Sequence, residues 1–383
     1  MKLRTLDDLD VAGKRVLLRA DFNVPLSNGN IADDMRITAT LPTIKELLDR
    51  GAAQLVCCSH LGRPKGKPDP KYTLAAVADR LTSLLGIPVP LTETPTGPVG
   101  PGAKVVLLEN LRFDVGEESN DPSFAVALAS LADVYVNDAF GAVHRAHASV
   151  TGVAERLPNA AGRLLEKEVA VLSKLLEAPD RPFLAIVGGA KVSGKLAVLD
   201  KLLQHVDRIA IGGAMCFTFF KAQGHEIGRS LMEPDQISSV RALMQKAGDR
   251  LLLPVDVVVA EKAEPGVVTQ TVPVDAIPAN LAGYDVGSQT CRNYVDAIRA
   301  ARTVFWNGPM GVFEVPEFDG GTRAVAAAVA KGPAYSVVGG GDSGAALVKF
   351  GYAHEVDHLS TGGGASLEFL EGKELPGLVP LRV

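Results

Sequence analysis

Four arginines and one histidine lie in the polar segments that separate short apolar runs in the first half of the chain: Arg36, His60, Arg63, Arg112 and Arg145. A guanidinium fork matches phosphate and carboxylate oxygens two at a time, so a cluster of such groups suits a small anion. A single loop arginine is commonly a solvated surface residue. Several of them after successive apolar runs predict one anion-binding site.

Two acceptor side chains follow the first of these apolar runs. Asp21 and Asn23 lie directly after it, in the segment ADFNVP. Their oxygens can accept from a hydroxyl, so the expected ligand is an anion that also carries a hydroxyl group. His60 and His144 are either ligand-facing or ordinary hydrogen-bonding residues, and neither is assigned a catalytic role.

The second half of the chain carries lysines in a glycine-rich turn. The apolar run 183–187 leads into GGAKVSGKL at 188–196, which from Gly189 follows the phosphate-loop pattern GxxxxGK. Leu196 stands where that loop requires a serine or threonine for magnesium, so a P-loop mechanism lacks a part. Lys191 and Lys195 are four residues apart and can share one helical face. They either approach phosphate oxygens or are two solvated lysines.

Two glycine triplets, at 339–341 and 362–364, are further candidates for phosphate binding. Glycine lets backbone amides approach an anion closely, and a helix N-terminus adds positive partial charge. Each triplet stands at a strand-to-helix transition, and two such triplets favour a phosphate cradle over ordinary turns. A carboxylate among such amides requires a cation between it and the anion, so Asp342 is predicted to hold magnesium.

Two other segments can complete a nucleotide site. Gly212 and Gly213 follow the apolar run 209–211, and their bare backbone can admit a flat ring. Glu314 ends the segment WNGPMGVFE and is either an acceptor for paired ribose hydroxyls or an exposed charge.

Short apolar runs alternate with helical patterns along both halves. This alternation predicts βαβ units and parallel sheets that are covered on both faces. Ligands of such sheets bind beyond the carboxyl ends of the strands, where the residues above lie. The expected strands are 16–18, 54–58, 105–108, 134–136, 183–187, 209–211, 251–253, 257–259, 304–306 and 336–338, with another near 358–359. The expected helices include 37–48, 74–85, 123–131 and 345–350.

The segment 161–178, AGRLLEKEVAVLSKLLEA, separates the arginine-rich half from the glycine-rich half. Leu165, Val169 and Leu172 follow helical spacing, and Pro179 ends the helix. A chain of 383 residues is long enough for two or three domains. We therefore expect this helix to join two doubly wound α/β domains with a cleft between them, the alternative being a surface helix within one domain.

The composition is that of a globular protein, with 47% hydrophobic and 22% charged residues. A net charge of −5 argues against general binding to nucleic acid or membrane surfaces. The four cysteines lack metal-binding spacing, which is typical of reduced thiols. The first residues, MKLRTLDDLD, have no apolar signal core, and no run approaches the roughly 20 apolar residues of a membrane span. We expect a cytoplasmic protein.

Together these motifs resemble those of the phosphoglycerate kinase family, in the order of that family. They are RADFNVPL, SHLGRPKG, ENLRF, NDAFG with HRAHAS, GGAKVSGK, WNGPMGVFE, GGGDS and STGGGASLEFLEG, and they cover nearly the whole chain. The departures from common family choices are small and lie at Ala20, Ala142, Val143, Gly194, Ile211 and Cys216. By the resemblance, none of them replaces a residue expected to contact phosphate, and they concern only local loop shape and details of the adenine pocket.

The resemblance implies reversible phosphoryl transfer between 1,3-bisphosphoglycerate with ADP and 3-phosphoglycerate with ATP. It assigns the acid to residues 1–160, through Asp21, Asn23, Arg36, His60, Arg63, Arg112 and Arg145. It assigns the Mg²⁺-bound nucleotide to residues 179–366, through Lys195, Gly212, Gly213, Pro309, Glu314 and residues 340–343. It also implies that the tail 367–383 returns to the first domain, and that the protein is a monomer.

The candidates for contact with the moving phosphoryl group are Arg36, Lys191, Lys195, Gly341 and Gly363. A carboxylate acceptor is already ionised, so transfer needs positioning and charge neutralisation rather than a general base. Two domains that close would bring the reactants together. The other function classes are a P-loop-like NTPase, which Leu196 opposes, and a non-catalytic anion-binding protein, which leaves Lys191, Lys195 and Asp342 unexplained.

Overall fold

The computed structural model describes residues 1–100 and 102–383, which form two compact units. The first unit comprises Met1–Ala170 together with Glu374–Val383, and the second comprises Val171–Lys373. Residues 367–373 therefore belong to the second unit, and the segment that returns to the first unit begins at Glu374.

The first unit is built on a five-stranded parallel sheet with the order β5-β4-β1-β6-β7. Its strands, with a short β2-β3 hairpin, are β1 (Arg15–Arg19), β2 (Leu26–Ser27), β3 (Asn30–Ile31), β4 (Gln54–Cys58), β5 (Val105–Leu107), β6 (Val134–Asn137) and β7 (Asn159–Ala161). Its helices are α1 (Met35–Asp49), α2 (Ala75–Leu85), α3 (Val115–Glu118), α4 (Pro122–Ala129) and the beginning of α5 (Arg163–Glu177).

The second unit has a six-stranded parallel sheet with the order β10-β9-β8-β14-β15-β16. Its strands are β8 (Phe183–Val187), β9 (Arg208–Ile211), β10 (Leu251–Leu252), β11 (Asp256–Ala260), β12 (Gln270–Pro273), β13 (Ala282–Val286), β14 (Thr303–Asn307), β15 (Tyr335–Gly339) and β16 (His358–Leu359). Its helices are α6 (Leu196–Leu202), α7 (Cys216–Gln223), α8 (Ile237–Ala247), α9 (Ser288–Ala300), α10 (Gly320–Lys331), α11 (Gly341–Phe350) and α12 (Gly364–Leu370).

Both faces of the first sheet are buried, as the apolar runs predict. In β1, Val16 and Leu18 belong to one apolar core, whereas Leu17 belongs to a second core with Val56 and Tyr135. Successive strand residues point to opposite faces, so two cores mean that the sheet is covered on both sides. The predicted fold class, two α/β units built on parallel sheets, is confirmed.

The strand order of each unit creates one crevice at its centre. In the first unit the chain moves outward from β1 to β4 and β5 and then resumes on the other side of β1 with β6. In the second unit the same reversal separates β8 from β14. Neighbouring connections leave in opposite directions at these points, which opens a ligand-binding crevice beyond the strand ends.

The helix predicted over 161–178 extends over Arg163–Glu177, and the division between the units falls inside it, after Ala170. Asp138, which follows β6, sets its beginning: the carboxylate Oδ1 accepts from the amides of Leu164 at 2.9 Å and Leu165 at 3.2 Å. A side chain at Gly162 would collide with this carboxylate, since its Cβ would lie 2.2 Å from Oδ1. The helix therefore begins where an acidic cap meets its first amides.

Two expectations about the second half are wrong in detail. The strand expected at 257–259 is not in the parallel sheet but forms a separate antiparallel sheet, in the order β12-β11-β13. Apolar content alone does not distinguish the two kinds of sheet. The helix expected at 345–350 begins earlier, at Gly341, so Asp342 and Ser343 lie in its first turn.

Within the described part of the chain, no helix combines the length and the apolarity that crossing a membrane requires.

Candidate functional site

A buried ion pair lies at the carboxyl end of β1. Nη1 of Arg36, in the first turn of α1, donates to Oδ2 of Asp21 at 2.5 Å. Burial alone would raise the pKa of Asp21, but the charges of Arg36 and Arg19 and the hydrogen bond from the backbone amide of Asn23 lower it to about 2. Asp21 is therefore an ionised acceptor at neutral pH and holds the half-buried Arg36 guanidinium at the crevice.

His60, at the end of β4, is held as a neutral imidazole. Burial lowers its pKa well below the usual range, and Arg19, Arg112 and Arg36 lower it further against the opposing charge of Asp21. Nη2 of Arg19 lies 3.3 Å from His60 Nδ1. Because a guanidinium can only donate, Nδ1 accepts and Nε2 carries the proton. His60 can thus donate one hydrogen bond to an anion.

Arg19 itself is fully buried at the end of β1 and was not predicted as part of a site. Its Nε donates to Ser149 Oγ at 2.8 Å, and its Nη2 lies 3.9 Å from Glu117 Oε1. Glu117, also fully buried, accepts from the amide and the hydroxyl of Ser149. This network of buried side chains lies beneath the crevice. In the sequence it is indicated only by a charged residue, Arg19, at the end of an apolar run.

The other predicted arginines of this unit lie in the segments that follow β4, β5 and β6. Arg112 is buried, donates through Nη1 to the carbonyl of Gly62 at 2.7 Å and pairs with Glu118. Burial lowers its pKa, and the neighbouring charges of Arg145 and Arg19 act in the same direction. Arg63 is exposed and Arg145 is half-buried. The positive charges of Arg19, Arg112 and Arg145 thus lie close enough to influence one another, and such a cluster suits an anion.

Two amide side chains tie the loops of this region together. Asn23 Oδ1 accepts from the amide of Gly62 at 2.9 Å. Asn110, fully buried and not predicted as a site residue, accepts from the amides of Leu61 and Arg112 and donates to the carbonyls of Leu61 and Tyr72. The separation of the His60 loop from Arg112 therefore depends on these side chains.

In the second unit, Lys195 bridges the two strands that flank the central crevice. Its Nζ donates to the carbonyl of Gly188, after β8, at 2.6 Å, and to the side chain of Asn307, at the end of β14, at 2.6 Å. Burial lowers the pKa of Lys195 to about 8, although the carboxylate of Asp342 opposes the shift. The ammonium group thus lies between the ends of β8 and β14, at the central crevice of this unit. A phosphate that binds there can accept hydrogen bonds from it in place of the present acceptors.

Asn307 was not singled out by its type or spacing. Its Nδ2 donates to the carbonyl of Gly339 at 2.9 Å while its Oδ1 accepts from Lys195. It therefore links three neighbouring strand ends of the sheet. Its only sequence signal is its position at the end of an apolar run.

The glycines at 188, 212 and 213 have a packing role that the sequence interpretation did not include. A Cβ at Gly188 would lie 2.1 Å from the carbonyl oxygen of Pro309, and one at Gly212 would lie 2.3 Å from Met310 Sδ. A Cβ at Gly213 would lie 2.4 Å from the amide nitrogen of Gly189. Neighbouring loops approach these three backbones so closely that only glycine fits, whether or not a ligand binds there.

The glycines of the two triplets differ from these. A Cβ at Gly341 or Gly363 would meet no atom within 4 Å, so both backbones border open space. Gly340 and Gly363 have positive φ values of 95° and 52°, which favour glycine. Gly341 begins α11 after β15, and the second triplet follows the adjacent strand β16. The two triplets therefore lie beyond the carboxyl ends of two adjacent parallel strands.

The remaining predicted nucleotide-site residues of this unit differ in their burial. Ser343 is fully buried and its Oγ accepts from the amide of Gly308 at 2.6 Å, which couples α11 to the loop after β14. Lys191 and Glu314 are exposed, and Pro309 is half-buried. The structure therefore brings Lys195, Asp342 and Ser343 close to the β8 and β14 strand ends, with Lys191 in the adjoining loop.

Asp342 fits the role of a metal ligand that acts together with a phosphate. Its carboxylate is exposed in the first turn of α11 and close enough to influence the pKa of Lys195. Magnesium in phosphate-transferring sites is commonly held by one or two carboxylates, substrate phosphates and water. The donors present suit an ion that arrives with its ligand.

These features define a class: an α/β protein of two units, one with an arginine-rich crevice and the other with a lysine and glycine-rich crevice. A family model described as phosphoglycerate kinase matches residues 6–373. The chain belongs to the phosphoglycerate kinase family.

Named relatives agree with this assignment. The phosphoglycerate kinase of Rubrobacter xylanophilus is 56% identical over 100% of this chain and 98% of its own length. That of Deinococcus radiodurans is 53% identical over 99% of this chain and 94% of its own. The structure of the Coxiella burnetii phosphoglycerate kinase superposes with a TM-score of 0.89 at 43% identity, covering 99% of this chain and 98% of that one.

Proposed function

We propose that this protein catalyses reversible phosphoryl transfer between 1,3-bisphosphoglycerate with ADP and 3-phosphoglycerate with ATP. The observation that carries the proposal is the pair of central crevices, one equipped with Asp21, Arg36 and His60 and the other with Lys195. Membership of the phosphoglycerate kinase family supports the same reaction. A P-loop NTPase or a simple anion-binding protein is not favoured.

The acid is assigned to the first unit. Arg63, Arg112 and Arg145 would neutralise the phosphate, His60 would donate from Nε2, and Asp21 with Asn23 would accept from the hydroxyl. Buried partners hold several of these groups before the ligand arrives, so little ordering is needed on binding. Arg36 would extend toward the carboxyl group of the bound acid, which is the group that gives or receives the phosphoryl group.

The nucleotide is assigned to the second unit. Lys195 and the amides of residues 340–343 would hold its phosphates, Gly212, Gly213 and Pro309 would border the base, and Glu314 would accept from the ribose. Mg²⁺, when bound at Asp342, would neutralise charge on the phosphates. Lys191, Gly341 and Gly363 would contact the moving group, with Arg36 from the first unit. A monomeric, cytoplasmic enzyme is part of this proposal and rests on the family resemblance.

A coupled assay tests the reaction. ATP formation should require both 1,3-bisphosphoglycerate and ADP, and the reverse reaction should require both 3-phosphoglycerate and ATP. Hydrolysis of ATP at the same rate without the acid would instead indicate an NTPase. Binding of both ligands with no transfer would indicate a binding protein.

The pKa of Lys195 predicts a pH dependence of nucleotide binding. Phosphate favours the charged ammonium, so the pKa near 8 in the free protein should rise when ADP binds. Binding then takes up a proton above pH 8, and affinity should fall as pH rises, by up to about tenfold per unit. Calorimetry at pH 7, 8 and 9 measures this. Lys195→Arg, which stays charged, should show a flatter profile, and an unchanged parent affinity across this range would contradict the prediction.

Glu314→Ala should weaken ADP binding by roughly tenfold to a hundredfold, the scale of one charge-assisted hydrogen bond. The affinity for 3-phosphoglycerate should stay unchanged, because that ligand is assigned to the other unit. Calorimetry with each ligand measures both effects, and Glu355→Ala, another exposed carboxylate of the second unit, is the matched control. Equal ADP affinity in Glu314→Ala and the parent would remove Glu314 from the site.

A further inference from the structure

Glu233 makes a two-point contact with the loop that carries both lysines. Its Oε2 accepts from the backbone amide of Ser193 at 2.9 Å, and its Oε1 accepts from the hydroxyl of the same residue at 2.6 Å. Ser193 lies midway between Lys191 and Lys195. Both oxygens of one carboxylate are thus engaged by a single residue of this loop, although Glu233 is distant in sequence.

The rest of the loop is held at its two ends, and at the first of them the carbonyl of Gly189 accepts from the amide of Met215 at 3.0 Å. Val192 is fully buried, and its carbonyl accepts from the amides of Lys195 and Leu196 as α6 begins. Gly189 and Gly194 flank the other positions and add backbone freedom. Lys191, at the outer part of the loop, lies two residues from the contact with Glu233. That contact therefore restrains the backbone that carries Lys191.

Glu233 is itself held in place. Its backbone amide donates to the hydroxyl of Thr218 at 3.1 Å, and Thr218 is buried within α7. Burial would raise the pKa of Glu233, but the hydrogen bonds from Ser193 and the charge of Lys191 outweigh it and lower the pKa. The carboxylate is therefore ionised at neutral pH and attracts the ammonium of Lys191.

We infer that Glu233 is a positioning residue for phosphoryl transfer, which fixes Lys191 through its two hydrogen bonds to Ser193. The inference rests on the proposed function, in which Lys191 contacts the moving phosphoryl group. Displacement of a transition-state group by about 1 Å is enough to slow a reaction substantially. Glu233 needs no contact with either substrate to have this effect.

Steady-state kinetics of Glu233→Gln and Ser193→Ala test the inference. Each variant should lower kcat by about tenfold, the scale of one hydrogen bond to a charged group, with both KM values within twofold of the parent. The double variant should be no slower than the slower single variant by more than about twofold, because both changes weaken the same contact, from which Ser193→Ala removes only the hydroxyl hydrogen bond. Glu226→Gln removes an exposed carboxylate paired with Lys221 in the same unit, and it should retain the parental kcat.

The Lys191→Ala background separates this inference from the proposed function. If Glu233 acts through Lys191, Glu233→Gln should cause no further loss of kcat in that background. A further tenfold loss there, parental kcat in both single variants, or a change confined to KM would overturn the inference while leaving the reaction assigned. Parental kcat in Lys191→Ala would instead overturn the role proposed for Lys191. Thermal unfolding is recorded for each variant, and assays are run well below the lowest melting temperature.

Discussion

Arg36→Ala is expected to lower kcat by about 10²–10³, the scale for the loss of one preorganised donor to a developing charge. The KM for 3-phosphoglycerate should change far less, because the proposed contact is strongest in the transition state. The structure gives a physical basis for this expectation. Asp21 already orients the guanidinium through a 2.5 Å hydrogen bond, so Arg36 is held in place before any substrate binds.

Two further variants control for the change in local charge. Arg36→Lys keeps a positive charge beside the buried Asp21 but lacks the planar fork, so its kcat should fall between those of the parent and Arg36→Ala. Arg63→Ala removes an exposed arginine assigned to the remote phosphate, and it should mainly raise KM. If Arg36→Ala changed only KM, Arg36 would merely hold the substrate and the assignment would be wrong.

Lys191→Ala is expected to produce a similar fall in kcat, about 10²–10³, from the second unit. Lys191 is exposed, and the two residues that follow it anchor its loop, Val192 by burial and Ser193 by its contact with Glu233. An exposed lysine contributes little to folding, so the variant should remain stable. The loss should therefore appear in the chemical step.

Lys195→Ala provides the contrast for this prediction. Lys195 donates to Gly188 and Asn307 at the central crevice of the second unit, and it is assigned to the nucleotide phosphates. Its loss should therefore weaken ADP binding as well as slow phosphoryl transfer. Calorimetry with ADP and single-turnover kinetics measure the two effects separately. Parental ADP affinity and a slow transfer step are expected for Lys191→Ala. Weakened ADP binding with an unchanged transfer rate would contradict the role assigned to it.

Candidate ligand-binding residues could be recognised from the sequence where the residue type itself suits an anion and the residue follows a predicted strand. Asp21 and His60 follow apolar runs that were correctly predicted as strands, and parallel strands place their carboxyl ends at one edge. Arg36 stands at the start of the first predicted helix. The same local logic identified the lysine turn after Phe183–Val187 and the glycines that precede α11. These predictions needed only alternation, spacing and side-chain chemistry, which are properties of short segments.

Residues that act through distant partners could not be recognised in this way. Asn307 is 112 positions from Lys195, and Glu233 is 40 positions from Ser193. Nothing in either segment shows that β14 lies beside β8 or that the α7–α8 loop reaches the lysine turn. The close approach of Met310 to Gly212 and of the Pro309 carbonyl to Gly188 likewise has no sign in the sequence.

The sequence by itself thus determined the fold class, the family and the charged groups available for phosphoryl transfer, because each follows from local patterns. Only the tertiary structure decided which oxygens hold Lys195, which tautomer His60 adopts and which carboxylate restrains the Lys191 loop. Those outcomes depend on strand order and on burial. Both are set by the packing of the whole unit, and no short segment contains that information.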